Sequence, residues 1–82
     1  MGPYSAEFPI GSWVRIADRD VLERFMREWR FHHPLTVEQC EVAGQVARVS
    51  KIGYYHGGDV LYSLEGIEGI WHEHLLSAEP QS

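Results

Sequence analysis

Three of the five histidines have a spacing that is compatible with zinc binding. His72 and His74 are separated by one residue, so an extended strand would point both imidazoles to the same side, and His56 in the preceding loop could approach as a third ligand. Three nitrogen ligands would hold zinc with one coordination position open, which suits metal-assisted hydrolysis. Histidines at this spacing are common, however, and are more often surface or hydrogen-bonded side chains. We therefore predict no bound metal and no cofactor, with these histidines as candidate ligands only.

Cys40, the single cysteine, follows His32 and His33 in the sequence. A neighbouring histidinium can lower the pKa of a thiol and generate a thiolate nucleophile, and the same residues could ligate a soft metal. A lone cysteine among apolar neighbours is far more often a small buried hydrophobic residue, and Cys40 has such neighbours. The sequence therefore predicts no catalytic residue.

A set of aromatic, glycine and acidic residues is predicted to form a protein-binding surface. Its members lie in or beside loops, where a rigid scaffold commonly presents recognition residues. Exposed aromatic side chains flanked by acids suit an extended partner peptide that carries basic or proline residues. The predicted binding residues are Tyr54, Tyr55, Gly57, Gly58, Glu65, Glu68 and Glu73. At least one of the two adjacent tyrosines should lie outside the core, whereas Tyr62 and Trp71 should lie inside it.

The charge of the chain argues against nucleic acid as a partner. The 82 residues include 7 Lys and Arg against 12 Asp and Glu, which gives a net charge of −5 at pH 7. Nonspecific binding to phosphates requires clustered cations, and an acidic chain opposes it. Four of the six arginines fall between Arg15 and Arg27. On the predicted helix the pairs Glu23–Arg27 and Arg24–Glu28 are spaced for ion pairing, which favours a solvated face over a binding site for anions.

The length and composition indicate one small folded domain. We predict a flexible tail over residues 1–9 and a single domain over residues 10–80, in which a deep enzyme cleft within one protomer is not expected. No apolar run approaches the roughly 20 residues of a membrane-spanning helix. The first residues lack the basic and apolar regions of a secretory signal, so a cytoplasmic protein is expected.

Periodicity places two helical segments after the first strand. Apolar residues at helical spacing predict an amphipathic helix whose face Leu22, Phe25, Met26 and Trp29 packs on the sheet. Capping boxes are predicted at Asp20 with Glu23 and at Thr36 with Gln39. Gly44 is predicted to end the second helix as a C-cap glycine with a left-handed backbone conformation. The predicted helices span residues 21–29 and about 36–43, and the predicted strands span residues 13–17, 45–54, 60–65, 70–72 and 76–79.

The order of four motifs resembles an SH3-like barrel whose loop after the first strand is enlarged. The motifs are G-S-W-V-R-I, A-G-Q-V-A-R-V, D-V-L-Y-S-L and I-W-H-E-H-L-L, and the pattern is most similar to the barrel portion of the nitrile hydratase β subunit. The matching positions are Gly11, Val14, Arg15, Gly44, Val46, Val49, Tyr62, Trp71, Glu73 and Leu76, with His33-Pro34 in the corresponding connection. In that enzyme the α subunit holds the metal, and its cysteine cluster has no counterpart here. The resemblance therefore implies an accessory or partner-binding role.

We interpret the chain as mainly β: an SH3-like, five-stranded, partly open barrel with a helical insertion between strands 1 and 2. The predicted function is a noncatalytic protein-interaction or accessory module, with a protein partner and no membrane or nucleic acid. The alternative is a small homo-oligomeric enzyme, or the metal-assisted hydrolase described above. Type II dihydrofolate reductases are SH3-like barrels that build one active site in a homotetramer, but their glutamine-containing strand motif is absent at residues 70–73.

Overall fold

The computed structural model describes residues 6–29, 34–54 and 60–79 of the chain. In these ranges the protein is mainly β, and two short helices lie between the first and second strands. The elements in chain order are β1 (Trp13–Ile16), α1 (Arg19–Glu28), α2 (Val37–Cys40), β2 (Val46–Tyr54), β3 (Val60–Leu64), β4 (Ile67–His72), a 3-10 turn (Glu73–Leu75) and β5 (Leu76–Ala78).

The five strands form one antiparallel sheet in the order β4-β3-β2-β1-β5. Within the described ranges the edge strands β4 and β5 do not pair with each other, so the barrel is partly open. This arrangement confirms the predicted fold class, including the helical insertion between β1 and β2. A consequence for binding is that β4 keeps an outer edge that no other described strand covers.

Side-chain alternation along the strands separates core from surface. Tyr62 and Trp71 are fully buried, as predicted. Tyr54 is half exposed, which confirms that at least one of the two adjacent tyrosines lies outside the core. Phe8 is buried as well, and its ring centroid lies 5.5 Å from that of Tyr62. The core therefore includes a residue from the segment that precedes residue 10.

The first helix begins earlier than its sequence pattern suggests. Its N-cap is Asp18, whose carbonyl accepts a hydrogen bond from the Leu22 amide at 3.1 Å, and no side chain caps this end. The predicted capping box of Asp20 with Glu23 is wrong because Asp20 already lies in the first turn. Glu23 pairs with Arg19 at 2.9 Å, and this is the intrahelical ion pair of the described α1.

The apolar face of α1 packs as predicted. Leu22 is buried in the core, and Phe25 and Met26 are partly buried against it. Trp29 is the C-cap residue of α1 and has an extended backbone. Its ring stacks on that of Phe25, with the two centroids 4.9 Å apart. This aromatic pair fixes the end of α1 beside the last residue of β4, which both rings contact.

The second helix confirms the capping box at its start and corrects the role of Gly44. Thr36 Oγ1 accepts from the Gln39 amide at 3.3 Å, and Gln39 Oε1 accepts from the Thr36 amide at 3.0 Å. The helix cap is Glu41, three residues before Gly44. Gly44 does adopt a positive φ of 79°, but its amide donates to carbonyls at the end of β1. This glycine therefore returns the chain to the sheet and does not end the helix.

The hairpin of β3 and β4 contains a bulge of three residues. Tyr62 pairs with Trp71 and Leu64 pairs with Ile67, so three residues of β4 stand opposite one residue of β3. The strand thus begins three residues before the predicted segment 70–72, and part of the predicted connection 66–69 belongs to it. Two residues of the bulge, Gly69 and Ile70, lie against the Gln39 side chain of α2.

Among the described residues, no helix is long and apolar enough to cross a membrane.

Candidate functional site

The predicted binding residues separate into two groups at opposite ends of β3. Tyr54 pairs with Val60, the first residue of β3. Glu73 directly follows His72 of β4, which pairs with Leu61, the second residue of β3. Glu65 comes directly after β3, and Glu68 lies in the bulge of β4 beyond it. The ends of this five-residue strand are about 13 Å apart. Tyr55, Gly57 and Gly58 lie outside the described residues, and those that are described do not form one continuous surface.

Glu73 holds the N-terminal segment against the barrel. Its Oε2 atom accepts a short hydrogen bond from the Tyr62 hydroxyl and a second bond from the Glu7 amide at 3.0 Å. The Tyr62 oxygen also accepts from the amides of Glu7 and Phe8, at 3.1 and 3.3 Å. Burial raises the pKa of Tyr62, and its bond to Glu73 raises it further, so the phenol stays protonated and donates. A partner that used the Glu73 carboxylate would have to compete with these bonds.

The two described candidate metal ligands have different surroundings. His72 ends β4 and is buried, and its ring centroid lies 4.8 Å from the rings of both Phe25 and Trp29. His74 lies in the 3-10 turn, where the backbone is no longer extended, and is exposed. His56 lies outside the described residues. In the described ranges no group of three His, Cys, Asp or Glu side chains is placed to hold a metal ion. The candidate set that includes His56 is not tested by these ranges.

Cys40, the last residue of α2, is buried, and burial raises the pKa of its thiol. Repulsion from the Glu23 carboxylate raises it further, whereas Arg19 acts weakly in the opposite direction. The thiolate that a nucleophile needs is therefore disfavoured. The structure agrees with the interpretation of Cys40 as a small buried hydrophobic residue.

An open groove of about 670 Å³ lies between α2 and the hairpin of β3 and β4. It contains one predicted binding residue, Glu68, while Glu65 adjoins it in the turn. The lining residues are Thr36, Glu38, Gln39, Val42, Gln45, Gly66, Ile67, Glu68 and Gly69. The groove is a concave surface that combines apolar and polar side chains, and we take it as the candidate functional site.

Gln39 joins the two walls of this groove. Its side chain is buried, its Nε2 donates to the Ile70 carbonyl at 3.0 Å, and its Oε1 accepts from Thr36 at the start of α2. Gly69 packs directly on this amide, since a Cβ at position 69 would lie 2.6 Å from Gln39 Nε2. Gly69 also has a φ of 105°, a region that favours glycine. One amide group thus sets the separation of α2 from β4.

The groove combines apolar surface with negative charge. Val42 and Ile67 are partly buried and pack on the core, which makes them its apolar contact residues. Glu38 and Glu68 are exposed, and no lysine or arginine is among the described lining residues. Exposed carboxylates beside apolar side chains can bind a segment in which basic and apolar residues alternate.

The predicted binding residues include one residue that lines this groove, Glu68, and none on its α2 wall. Glu68 was predicted because it is acidic and lies in or beside a loop of the predicted fold. The contributions of Glu38 and Val42 were missed because they depend on the docking of α2 against β4. The available signal was the Thr36–Gln39 capping box, which places a helix here but does not say where it packs.

No protein-family model, curated protein or solved structure was found that matches this chain. The resemblance to the nitrile hydratase β subunit therefore rests on the sequence pattern, and the structure supports the barrel-like fold that it implies.

Proposed function

We propose that this protein is a noncatalytic interaction module that binds an extended, basic segment of a protein partner in the groove between α2 and the β3–β4 hairpin. The observation that carries the proposal is the groove itself, with its two apolar side chains, two exposed carboxylates and no cation among the described lining residues. The expected partner segment alternates lysine or arginine with aliphatic residues.

The geometry of β4 favours an extended partner. As an edge strand, β4 presents backbone groups on its outer side, and an extended peptide can bind to such groups. The Ile70 carbonyl already accepts a hydrogen bond from Gln39. We therefore expect the main chain of the peptide to bind the backbone groups of the neighbouring bulge residues Glu68 and Gly69. Main-chain bonds would give affinity, while the apolar and acidic side chains would select the sequence.

The chemistry of the groove suits binding better than catalysis. Its described polar groups are carboxylates, amides, one hydroxyl and backbone atoms, which recognise cations and peptide groups. The thiol of Cys40, at the end of α2, is buried, and burial favours its protonated form over the thiolate. No specific observation in the structure favours the oligomeric enzyme or the metal-assisted alternative.

A peptide titration followed by NMR tests this function. The probe is acetyl-Lys-Leu-Lys-Leu-Lys-amide, with acetyl-Gln-Leu-Gln-Leu-Gln-amide as the uncharged control. We expect saturable shifts at Gly66, Gly69 and the Gln39 side-chain amide with the lysine peptide, and weaker binding of the control. Glu68→Gln should weaken binding of the lysine peptide by about 0.5–1 kcal/mol, because each exposed ion pair contributes little.

Glu41→Gln is the matched control, because Glu41 is an exposed glutamate at the end of α2 that does not line the groove. The proposal fails if neither peptide gives saturable shifts, or if Glu41→Gln weakens binding as much as Glu68→Gln does.

The accessory role that the sequence resemblance implies is a finer form of this proposal, in which the partner is a permanent subunit. Size-exclusion chromatography with light scattering separates it from the enzyme alternative. We expect a monomer of the isolated chain. A tetramer would favour a site shared between protomers and would count against the groove as the functional centre.

A further inference from the structure

The outer face of β1 and β2 carries an arginine that is positioned for a ligand. Arg48 stands opposite Trp13 across the two strands, and its guanidinium carbon lies 5.7 Å from the centre of the indole ring. Arg48 Nε donates to the Gly11 carbonyl at 3.3 Å. These two contacts orient the guanidinium, and its Nη1 and Nη2 atoms make no hydrogen bond to the described residues.

A neighbouring arginine shows what Arg48 lacks. Arg15 lies on the same face and binds Glu79 through two hydrogen bonds, of 2.9 and 3.0 Å. Its remaining terminal nitrogen donates to the Gly44 carbonyl. No carboxylate pairs with Arg48 in the part of the chain that the structure describes. In an acidic chain, this cation is thus held in place with its charge unmatched.

Exposed apolar side chains lie on the strand of Arg48, on its partner strand β1 and next to its Gly11 contact. Trp13 and Val46 are each 37% exposed, and Val46 is the next outward residue on β2. Ile10, beside Gly11 in sequence, is 64% exposed. Tryptophan and arginine side chains of this kind dominate the binding energy of protein interfaces.

We propose that the Trp13–Arg48 face docks an acidic segment of a protein partner. A carboxylate would pair with Arg48 Nη1 and Nη2 in the bidentate geometry that guanidinium favours, and an adjacent aliphatic side chain would pack on Trp13 and Val46. Charge complementarity selects this occupant. A nucleic acid strand fits less well, because a run of phosphates needs several clustered cations and Arg15 on this face is already neutralised by Glu79. The face shares no residue with the groove, so this inference stands independently of the proposed function.

The test is an NMR titration with acetyl-Leu-Glu-Leu-Glu-amide as the probe and acetyl-Leu-Gln-Leu-Gln-amide as the uncharged control. We expect saturable shifts at the Trp13 indole N–H and the Arg48 Nε–H, with the acidic peptide bound at least about fivefold more tightly. Arg48→Gln should remove this preference for the acidic peptide. Arg48→Lys should keep part of it, because lysine retains the positive charge but lacks the planar guanidinium that donates two parallel hydrogen bonds to a carboxylate. Arg24→Gln, an exposed arginine on α1, should change nothing.

Unchanged resonances of the buried Trp71 and Tyr62 would show that each variant remains folded. The inference is overturned if the two peptides bind equally, if Arg48→Gln keeps the preference, or if Trp13 does not respond. Tighter binding of an oligothymidylate would assign the face to phosphate. Shifts at Trp13 on concentrating the protein alone would assign it to a second copy of the chain. Either result would contradict the proposed occupant.

Discussion

Replacing Gly69 by alanine would place a methyl group against the buried amide of Gln39. The added Cβ would lie 2.6 Å from Nε2 and 2.9 Å from Cδ of that side chain, well inside normal contact distances. The backbone φ of 105° adds a strain of about 1–3 kcal/mol for a residue other than glycine. Displacing Gln39 would also weaken its bond to Ile70, at a cost of about 0.5–1.5 kcal/mol. Gly69→Ala should therefore destabilise the protein by about 2–4 kcal/mol.

Gly66→Ala provides the matched control. Gly66 also has a positive φ, of 75°, but an added Cβ there would meet no atom within 4 Å. Gly66→Ala should lower the free energy of unfolding only by the backbone strain of the positive φ, about 1–2 kcal/mol. Urea unfolding of both variants measures the difference in free energy of unfolding, which contains the contact with Gln39 and the difference in backbone strain between the two positions.

A double-mutant cycle with Gln39→Ala tests the cause. If the contact of the added methyl group with Gln39 causes the destabilisation, Gly69→Ala should lower the free energy of unfolding less in the Gln39→Ala background than in the wild type. Equal losses for the two glycine variants, or strictly additive losses in the cycle, would refute the role of Gln39 as the element that sets the width of the groove.

Three further predictions concern the core and the α1 interface. Because burial raises the pKa of Tyr62 above its ordinary value of about 10, the unfolded chain loses this proton first as the pH rises. The free energy of unfolding should then fall above about pH 10 by up to about 1.4 kcal/mol per pH unit, and Tyr62→Phe should reduce this slope in urea titrations. Trp29→Ala should cost about 1–3 kcal/mol, because the ring is partly buried and stacks on Phe25; an unchanged urea midpoint would contradict that packing. Cys40 should react with a thiol reagent at least about tenfold more slowly in the native protein than in urea, and equal rates would show that it is accessible.

Local sequence signals were sufficient for most of the fold. The Thr36–Gln39 capping box forms as predicted because its two residues are three positions apart and need no distant partner. The alternation of apolar residues likewise identified Tyr62 and Trp71 as core residues. The start of α1 was misplaced because two acids, Asp18 and Asp20, precede its apolar face, and the pattern alone does not say which one caps the helix.

The candidate site depends on contacts that such signals do not encode. Gln39 meets Ile70 across 31 positions of sequence, and Glu7 meets Glu73 across 66. The bulge in β4 is defined only relative to β3, so its position cannot be deduced from the sequence of β4 by itself. Glu73 could therefore be recognised as acidic and near a loop, but not as a group that holds the N-terminal segment.

The most direct test of the groove is to detect contacts between its apolar residues and a bound peptide. Isotope-filtered nuclear Overhauser spectra of the complex with acetyl-Lys-Leu-Lys-Leu-Lys-amide report pairs of nearby protons from the two molecules. The proposed function predicts cross-peaks between the leucine methyl groups of the peptide and the methyl groups of Val42 and Ile67. Cross-peaks confined to another surface, such as that around Tyr54, would contradict the assignment of the groove as the binding site.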